Sequence, residues 1–213
     1  MNPGDEVLYP NPGYPIYESQ IEYQGGVSVP YGYIETASGF DLDLDAIEHG
    51  IGPRTRVLIY NNFQNPNGAE SSPAEMERLA QLAIKHDLWV LSDEAYFEIQ
   101  YSGQAESIVS LPGMQERPVI LYTCSKRFAM TGWRLGWMVA PEELLRSYEC
   151  LAQNLFISPP SLSQHAGIKV FDCGDELQAN VARYAENRGI LLKKLPAAGF
   201  ETLAPAEGAF YIY

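Results

Sequence analysis

Residues 56–91 read RVLIYNNFQNPNGAESSPAEMERLAQLAIKHDLWVL. Arg56 to Tyr60 is a continuous apolar, β-branched run of the kind found in a strand buried on both faces. A turn-rich polar stretch follows. Ser72-Pro73-Ala74-Glu75 then opens a helix, because the serine hydroxyl can cap it, proline suits its first position, and Leu79, Leu82 and Ala83 form an apolar stripe. The stripe carries the helix to about His86, and Leu88 to Leu91 is a second buried strand.

The same alternation extends both ways. Upstream lie a strand at Glu6 to Tyr9, a Pro/Gly turn over Pro10 to Pro15, and a helix over about Ile16 to Gln24. After Gly25-Gly26 another strand reaches Pro30, and Leu42, Leu44 and Ile47 mark a short amphipathic helix ended by Gly50 and Gly52. Downstream, Pro118 to Tyr122 and Arg134 to Val139 read as strands. A helix runs from Pro141-Glu142-Glu143 to about Gln153, and helical segments over about Leu162 to Phe171 and Glu176 to Leu195 follow the break at Ser158-Pro159-Pro160. Gly208 to Tyr213 is strand-like and is expected to begin a second domain. Buried strands alternating with helices predict an α/β sandwich around a largely parallel sheet.

Of the 213 residues, 46% are hydrophobic and 12% aromatic, which fits a chain that buries a core and excludes a disordered one. Fourteen Lys and Arg against 27 Asp and Glu leave a formal charge of −13. Such a surface repels phosphate backbones and anionic membranes, so neither nucleic acid nor membrane is an expected partner. Cys124, Cys150 and Cys173 are an odd number at wide spacings, which indicates neither a disulfide framework nor a metal site. The N-terminus lacks a basic stretch with an apolar run, and no apolar segment approaches the ~20 residues that span a bilayer. A cytoplasmic location is expected. Both ends look cut rather than finished.

In open α/β sheets, ligands sit beyond the carboxyl ends of the strands, where three loops deserve inspection. Each has a bland explanation on its own. Asn65-Pro66-Asn67-Gly68 is turn chemistry, Asp93 with Tyr96 could cap a turn, and Ser125-Lys126-Arg127 could be solvated charge. Thr131-Gly132-Trp133-Arg134 could be a core tryptophan beside a surface arginine. Together they read differently. A strand-end lysine preceded by hydroxyls and followed eight positions on by an arginine supplies what an aldehyde phosphate requires: an amine for the aldehyde, hydroxyls and a guanidinium for the dianion. A carboxylate at a neighbouring strand end can face a pyridinium nitrogen.

At this point the chain resembles the class I/II family of pyridoxal phosphate dependent aminotransferases, of fold type I. The motifs are Pro-Gly-Asp-Glu-Val-Leu (3–8), Pro-Asn-Pro-Gly-Tyr-Pro-x-Tyr (10–17), Asn-Pro-Asn-Gly (65–68), Ser-Asp-Glu-x-Tyr (92–96) and Ser-Lys-x-x-x-Met-x-Gly-x-Arg-x-Gly (125–136). The last is the most specific, and the order of all five adds to it. The resemblance implies a three-layer sandwich with a mostly parallel mixed sheet, divided into a partial cofactor-binding large domain (1–153), an interdomain helical region (154–195) and the start of a small α+β domain (196–213). It implies pyridoxal 5′-phosphate as cofactor, amino acid and 2-oxo acid substrates, and a homodimeric full-length parent.

Carried over by position, Lys126 matches the lysine that binds the cofactor and then moves the proton, and Asp93 the carboxylate that keeps the ring nitrogen protonated. Asn65 and Tyr96 match the pair on the ring's phenolic oxygen. Arg134, Ser125 and Thr123 match the phosphate ligands, with threonine where many relatives carry serine. Tyr14 matches the aromatic residue that stacks on the ring, with Tyr17 as the alternative. Cys124 reads as packing, and Asn67, where threonine is common, as tolerated variation in a turn.

The family is usually near twice this length. The resemblance therefore implies that an N-terminal phosphate-binding loop and a substrate-binding arginine lie outside the sequence, with weak or no transamination by the 213 residues alone. Ser147 to Ile168 contains no Lys or Arg, which favours a neutral or aromatic amino donor over a dicarboxylate. The same lysine, aspartate and tyrosine would also serve a β-lyase, and a noncatalytic fragment is the reading from a different class.

Overall fold

Strands that are apolar on both faces need cover on both faces, and the chain supplies it by packing helices against both sides of one sheet. The computed structural model describes residues 1–37 and 39–213. Its elements are β1 (Glu6–Pro10), α1 (Ile16–Tyr23), β2 (Val27–Tyr31), β3 (Tyr33–Thr36), β4 (Gly39–Leu42), α2 (Leu44–Gly50), β5 (Thr55–Asn61), α3 (Pro73–Lys85), β6 (Trp89–Asp93), β7 (Pro118–Thr123), α4 (Cys124–Arg127), β8 (Gly136–Val139), α5 (Glu142–Leu155), α6 (Ser161–Gly167) and α7 (Gly174–Lys194). Six strands form one sheet in the order β2-β1-β5-β6-β7-β8, all parallel except β8, which runs antiparallel to β7.

The period of two along each strand sorts the core. Leu8, Leu58, Tyr60 and Val90 face one way and pack with Ile47 of α2 and Leu79 and Ala83 of α3. Val7, Tyr9 and Ile59 face the other way and pack with Tyr17 and Ile21 of α1. The sheet is thus the middle of three layers. Fully burying each such Leu or Ile side chain is worth about 1.5–3 kcal/mol, so the two clusters hold the strand ends in fixed register.

The α3 start follows the sequence reading. The Ser72 hydroxyl accepts from the Glu75 amide at 3.3 Å, and the Glu75 carboxylate accepts from the Ser72 amide at 2.7 Å. The other Glu75 oxygen accepts from the Leu42 amide at 2.6 Å and so ties the helix to the β3–β4 hairpin, an element the sequence reading did not contain.

Three expectations change. Arg134 does not open a strand: its backbone is left-handed (φ +50°), and β8 starts at Gly136. The helix expected to reach Phe171 stops at Gly167, and a single 3₁₀ turn covers Val170–Asp172. Gly208 to Tyr213 is not a strand. Only Gly208 makes a bridge, to Gln100, and the segment folds back onto the large sheet's loops. The Glu207 and Gly208 amides donate to the Gly68 carbonyl at 3.1 and 3.2 Å, and Ala209 donates to Ile99 at 2.8 Å. That approach depends on glycine at 68, where φ is +72° and a Cβ would lie 2.7 Å from the Ala206 Cβ. Among the described residues, no helix is long and apolar enough to cross a membrane.

Candidate active site

Strands β5, β6 and β7 are adjacent and parallel, and their carboxyl ends carry the three loops singled out above. Asn61 ends β5 opposite Asp93, which ends β6. The Asn61 side-chain amide donates to the Asp93 carbonyl at 2.9 Å, and its oxygen accepts from the Asn65 backbone amide at 2.9 Å. One asparagine therefore joins the Asn65 loop to the Asp93 strand end. Sequence reasoning passed over it as part of a turn.

The Asp93 carboxylate is held at both oxygens. Oδ1 accepts from the Ala95 amide at 3.1 Å, and Oδ2 accepts from the Tyr17 hydroxyl at 2.5 Å. Burial pushes the carboxyl above its ordinary range, and these two hydrogen bonds oppose the rise. Burial, with Asp93 beside it, raises the Tyr17 hydroxyl strongly, so it remains a donor. Tyr17 is thereby a partner of the aspartate. Tyr14 stands exposed at the head of α1 with its ring edge-on to Tyr17 at 5.8 Å, which leaves ring surface open to solvent.

On β7, Thr123 accepts the Ser125 amide on its hydroxyl oxygen at 3.1 Å and so caps α4, the single turn that carries Lys126. The chain then folds back. Ala129 donates to the Lys126 carbonyl at 3.3 Å, the Thr131 hydroxyl donates to the Ser125 carbonyl at 3.2 Å, and Arg134 donates from its guanidinium to the Thr131 carbonyl at 3.2 Å. Thr123, Ser125, Lys126 and Arg134 thus share one compact loop. Cys124 is buried beneath it, as packing.

Lys126 Nζ lies 5.7 Å from the centroid of the Phe210 ring, and among the described residues no carboxylate pairs with it. The same Phe210 ring meets the Tyr96 ring edge-on at 5.3 Å. Lys126 and Tyr96 accordingly flank one aromatic side chain supplied from the C-terminal segment. The Tyr96 hydroxyl is engaged by the Tyr211 hydroxyl, while the Asn65 side chain makes no such contact among the described residues. The Tyr96–Tyr211 contact forms where the C-terminal segment docks, with Gly208 against the Phe63 ring and the Ala209 amide donating to the Ile99 carbonyl. Asn67 sits within the turn, as its sequence context implies. It is 2% exposed, its amide donates to Gln64 at 2.9 Å and its side-chain oxygen accepts from Ala69 at 2.9 Å, so it builds the loop from within.

A cavity of about 950 Å³ lies at the opposite strand ends, lined by Asp87, Trp89, Arg117 and Glu142, and shares no residue with this site. The donor set at the carboxyl ends fits pyridoxal phosphate. It offers an amine without a carboxylate partner, an oriented carboxylate whose proton affinity burial has raised, and hydroxyls with a guanidinium on one loop.

Adjacent parallel strands of the sheet thus present a lysine, an aspartate and a hydroxyl-lined loop at their carboxyl ends. The chain belongs to the class I and II aminotransferases, whose family profile matches residues 1–213. Members of that family depend on pyridoxal phosphate. The chain is 37% identical to an arginine–pyruvate transaminase of Pseudomonas aeruginosa, over 99% of this chain and 54% of that protein. It is 31% identical to an aspartate aminotransferase of Sulfolobus acidocaldarius, over 100% of this chain and 54% of that one. The solved N-succinyldiaminopimelate aminotransferase of Mycobacterium tuberculosis superposes with a TM-score of 0.93 at 28% identity, covering 98% of this chain and 55% of that structure. The chain spans about half the length of the curated relatives it matches.

Proposed function

We propose that the protein to which this chain belongs transfers an amino group from an amino acid to a 2-oxo acid with pyridoxal phosphate. The observation that carries the reading is the placement, at the ends of adjacent parallel strands, of an oriented aspartate on β6 and a lysine on the turn after β7. Pyridoxal phosphate, when bound, supplies the aldehyde and the electron-withdrawing ring that make the amino acid's Cα proton removable.

The chain's residues take these roles. Lys126 would hold the aldehyde and, once freed, move the proton at Cα. Asp93 would face the ring nitrogen, and its raised proton affinity, with Tyr17 and Ala95 fixing both oxygens, suits it to pair with an N–H⁺. Thr123, Ser125 and Arg134 would take the phosphate, Asn65 and Tyr96 the phenolic oxygen, and Tyr14 the ring face. Tyr96 would release or share its hydroxyl bond to Tyr211 in doing so. The absence of Lys and Arg from Ser147 to Ile168 supports a neutral or aromatic donor. Steady-state turnover by the 213 residues alone is expected to be weak, since they span about half of the relatives' length.

A single-turnover assay tests the reading without requiring fast turnover. The cofactor-loaded chain, given an aromatic amino acid, should release one equivalent of the matching 2-oxo acid, and Lys126→Ala should slow this at least ~100-fold. Ammonia and pyruvate released from a substrate with a β-leaving group, with no such equivalent, would instead indicate a lyase.

A further inference from the structure

Glu94 follows Asp93 directly, is 3% exposed, and has no part in the chemistry above. Its carboxylate is surrounded by hydroxyls. Oε2 accepts from Tyr122 at 2.7 Å, and Oε1 accepts from Ser107 at 2.7 Å and from Ser92 at 3.1 Å. Three O–H donors converging on one group suit an acceptor-only carboxylate. Burial pushes this carboxyl upward, and the hydroxyl bonds from Ser107, Tyr122 and Ser92 oppose the rise.

The partners connect Glu94 to the lysine turn. Tyr122 precedes Thr123, the cap of α4, and its ring is stacked on Trp137 at 5.2 Å and meets Phe97 edge-on at 5.7 Å. The phenol is thus clamped, and its hydroxyl transmits the position of Glu94 to the backbone of β7. The Glu94 amide adds a bond to the Leu121 carbonyl at 3.1 Å. Farther along the same loop, Glu98, with a left-handed backbone (φ +64°), forms an ion pair with Arg127, the residue after Lys126. The loop that leaves Asp93 therefore grips the lysine turn from both sides.

We infer that Glu94 is a positioning residue: by gathering the Tyr122 and Ser107 hydroxyls, its buried carboxylate sets the turn that carries Lys126 against the strand end that carries Asp93. This rests on the proposed roles of Lys126 and Asp93. Its structural half can be measured without them.

Hydrogen exchange on the cofactor-free chain, comparing parent with Glu94→Gln and Tyr122→Phe, reads that half. The amides of Cys124 and Phe128 should exchange about tenfold faster or more in Glu94→Gln, while β1 and β5 amides keep the parent's rate. The double variant should be no faster than the faster single one, since both remove the same tie. Uniform acceleration through β1, β5 and β7, or no change, would overturn the inference. Should Glu94→Gln fail to fold, Tyr122→Phe removes one hydroxyl alone and is judged by the same criteria. A second readout is selectivity: pyridoxal phosphate followed by borohydride should label Lys126 in preference to the surface Lys85, with the preference reduced about tenfold in Glu94→Gln. A retained preference would also overturn it. If the parent shows no preference at all, the proposed function fails while the exchange result still decides the role of Glu94.

Discussion

Glu70 lies beside Glu207, whose carboxylate accepts the Glu70 amide at 2.9 Å. Burial, and then the Glu207 charge, push the Glu70 carboxyl from its ordinary 4.5 up to about 7. The folded chain thus keeps a proton that the unfolded chain loses between those values, so this group's contribution to stability falls as pH rises from about 4.5 to 7 and stays low above it. Glu70→Gln should remove that decline. Urea midpoints of parent and variant should diverge in the variant's favour as pH rises through this window, and a constant difference would contradict the shift. Residue-scale facts of this kind were the least legible in the sequence. Lys126, Asp93 and Arg134 stood out in sequence because their types and spacing suit a chemistry, and the structure places Asp93 and the Lys126 turn at the ends of adjacent strands. Asn61, Tyr17 and Glu94 act through partners 32, 76 and 28 positions away in the chain, and although Tyr17 and Glu94 fall inside recognisable motifs, no local pattern names those partners.

At the scale of elements, local rules carried furthest where the signal is local. The Ser72 cap and Pro73 define the start of α3 in sequence and structure alike. Ser72→Ala deletes the hydroxyl that accepts the Glu75 amide and should cost about 1 kcal/mol in chemical unfolding, with Ser72→Asp restoring most of it. An unchanged midpoint in Ser72→Ala would show that the Glu75 half of the box suffices. The buried runs at β1, β5, β6 and β7 were readable for the same reason, being apolar on both faces. The β3–β4 hairpin was not, since four-residue strands carry too few alternations to stand out. Gly208 to Tyr213 has strand-like composition, but its backbone donors go to Gly68 and Ile99 instead of a neighbouring strand. Tertiary contact, not propensity, decided that segment.

Across the whole molecule, the sheet's two faces are well covered, whereas the helices after β8 are not. No residue of α5 is buried, and Leu155, Phe156 and Ile157 are 68, 73 and 83% exposed. The three-layer core was legible from alternation, while this apolar surface was not, because burial depends on what lies opposite and sequence pattern reports only the residue. The site has the same character. It gathers residues from distant parts of the chain: parallel β5, β6 and β7 bring Asn61, Asp93 and the Lys126 turn to a single edge, α1 adds Tyr17 and the C-terminal segment adds Phe210. The most direct test of that convergence is to incubate the purified chain with pyridoxal phosphate, reduce with borohydride and map the label by mass spectrometry. One equivalent on Lys126, sharply reduced in Asp93→Ala, is the predicted result. Label spread over surface lysines, or the same Lys126 labelling without the aspartate, would contradict it.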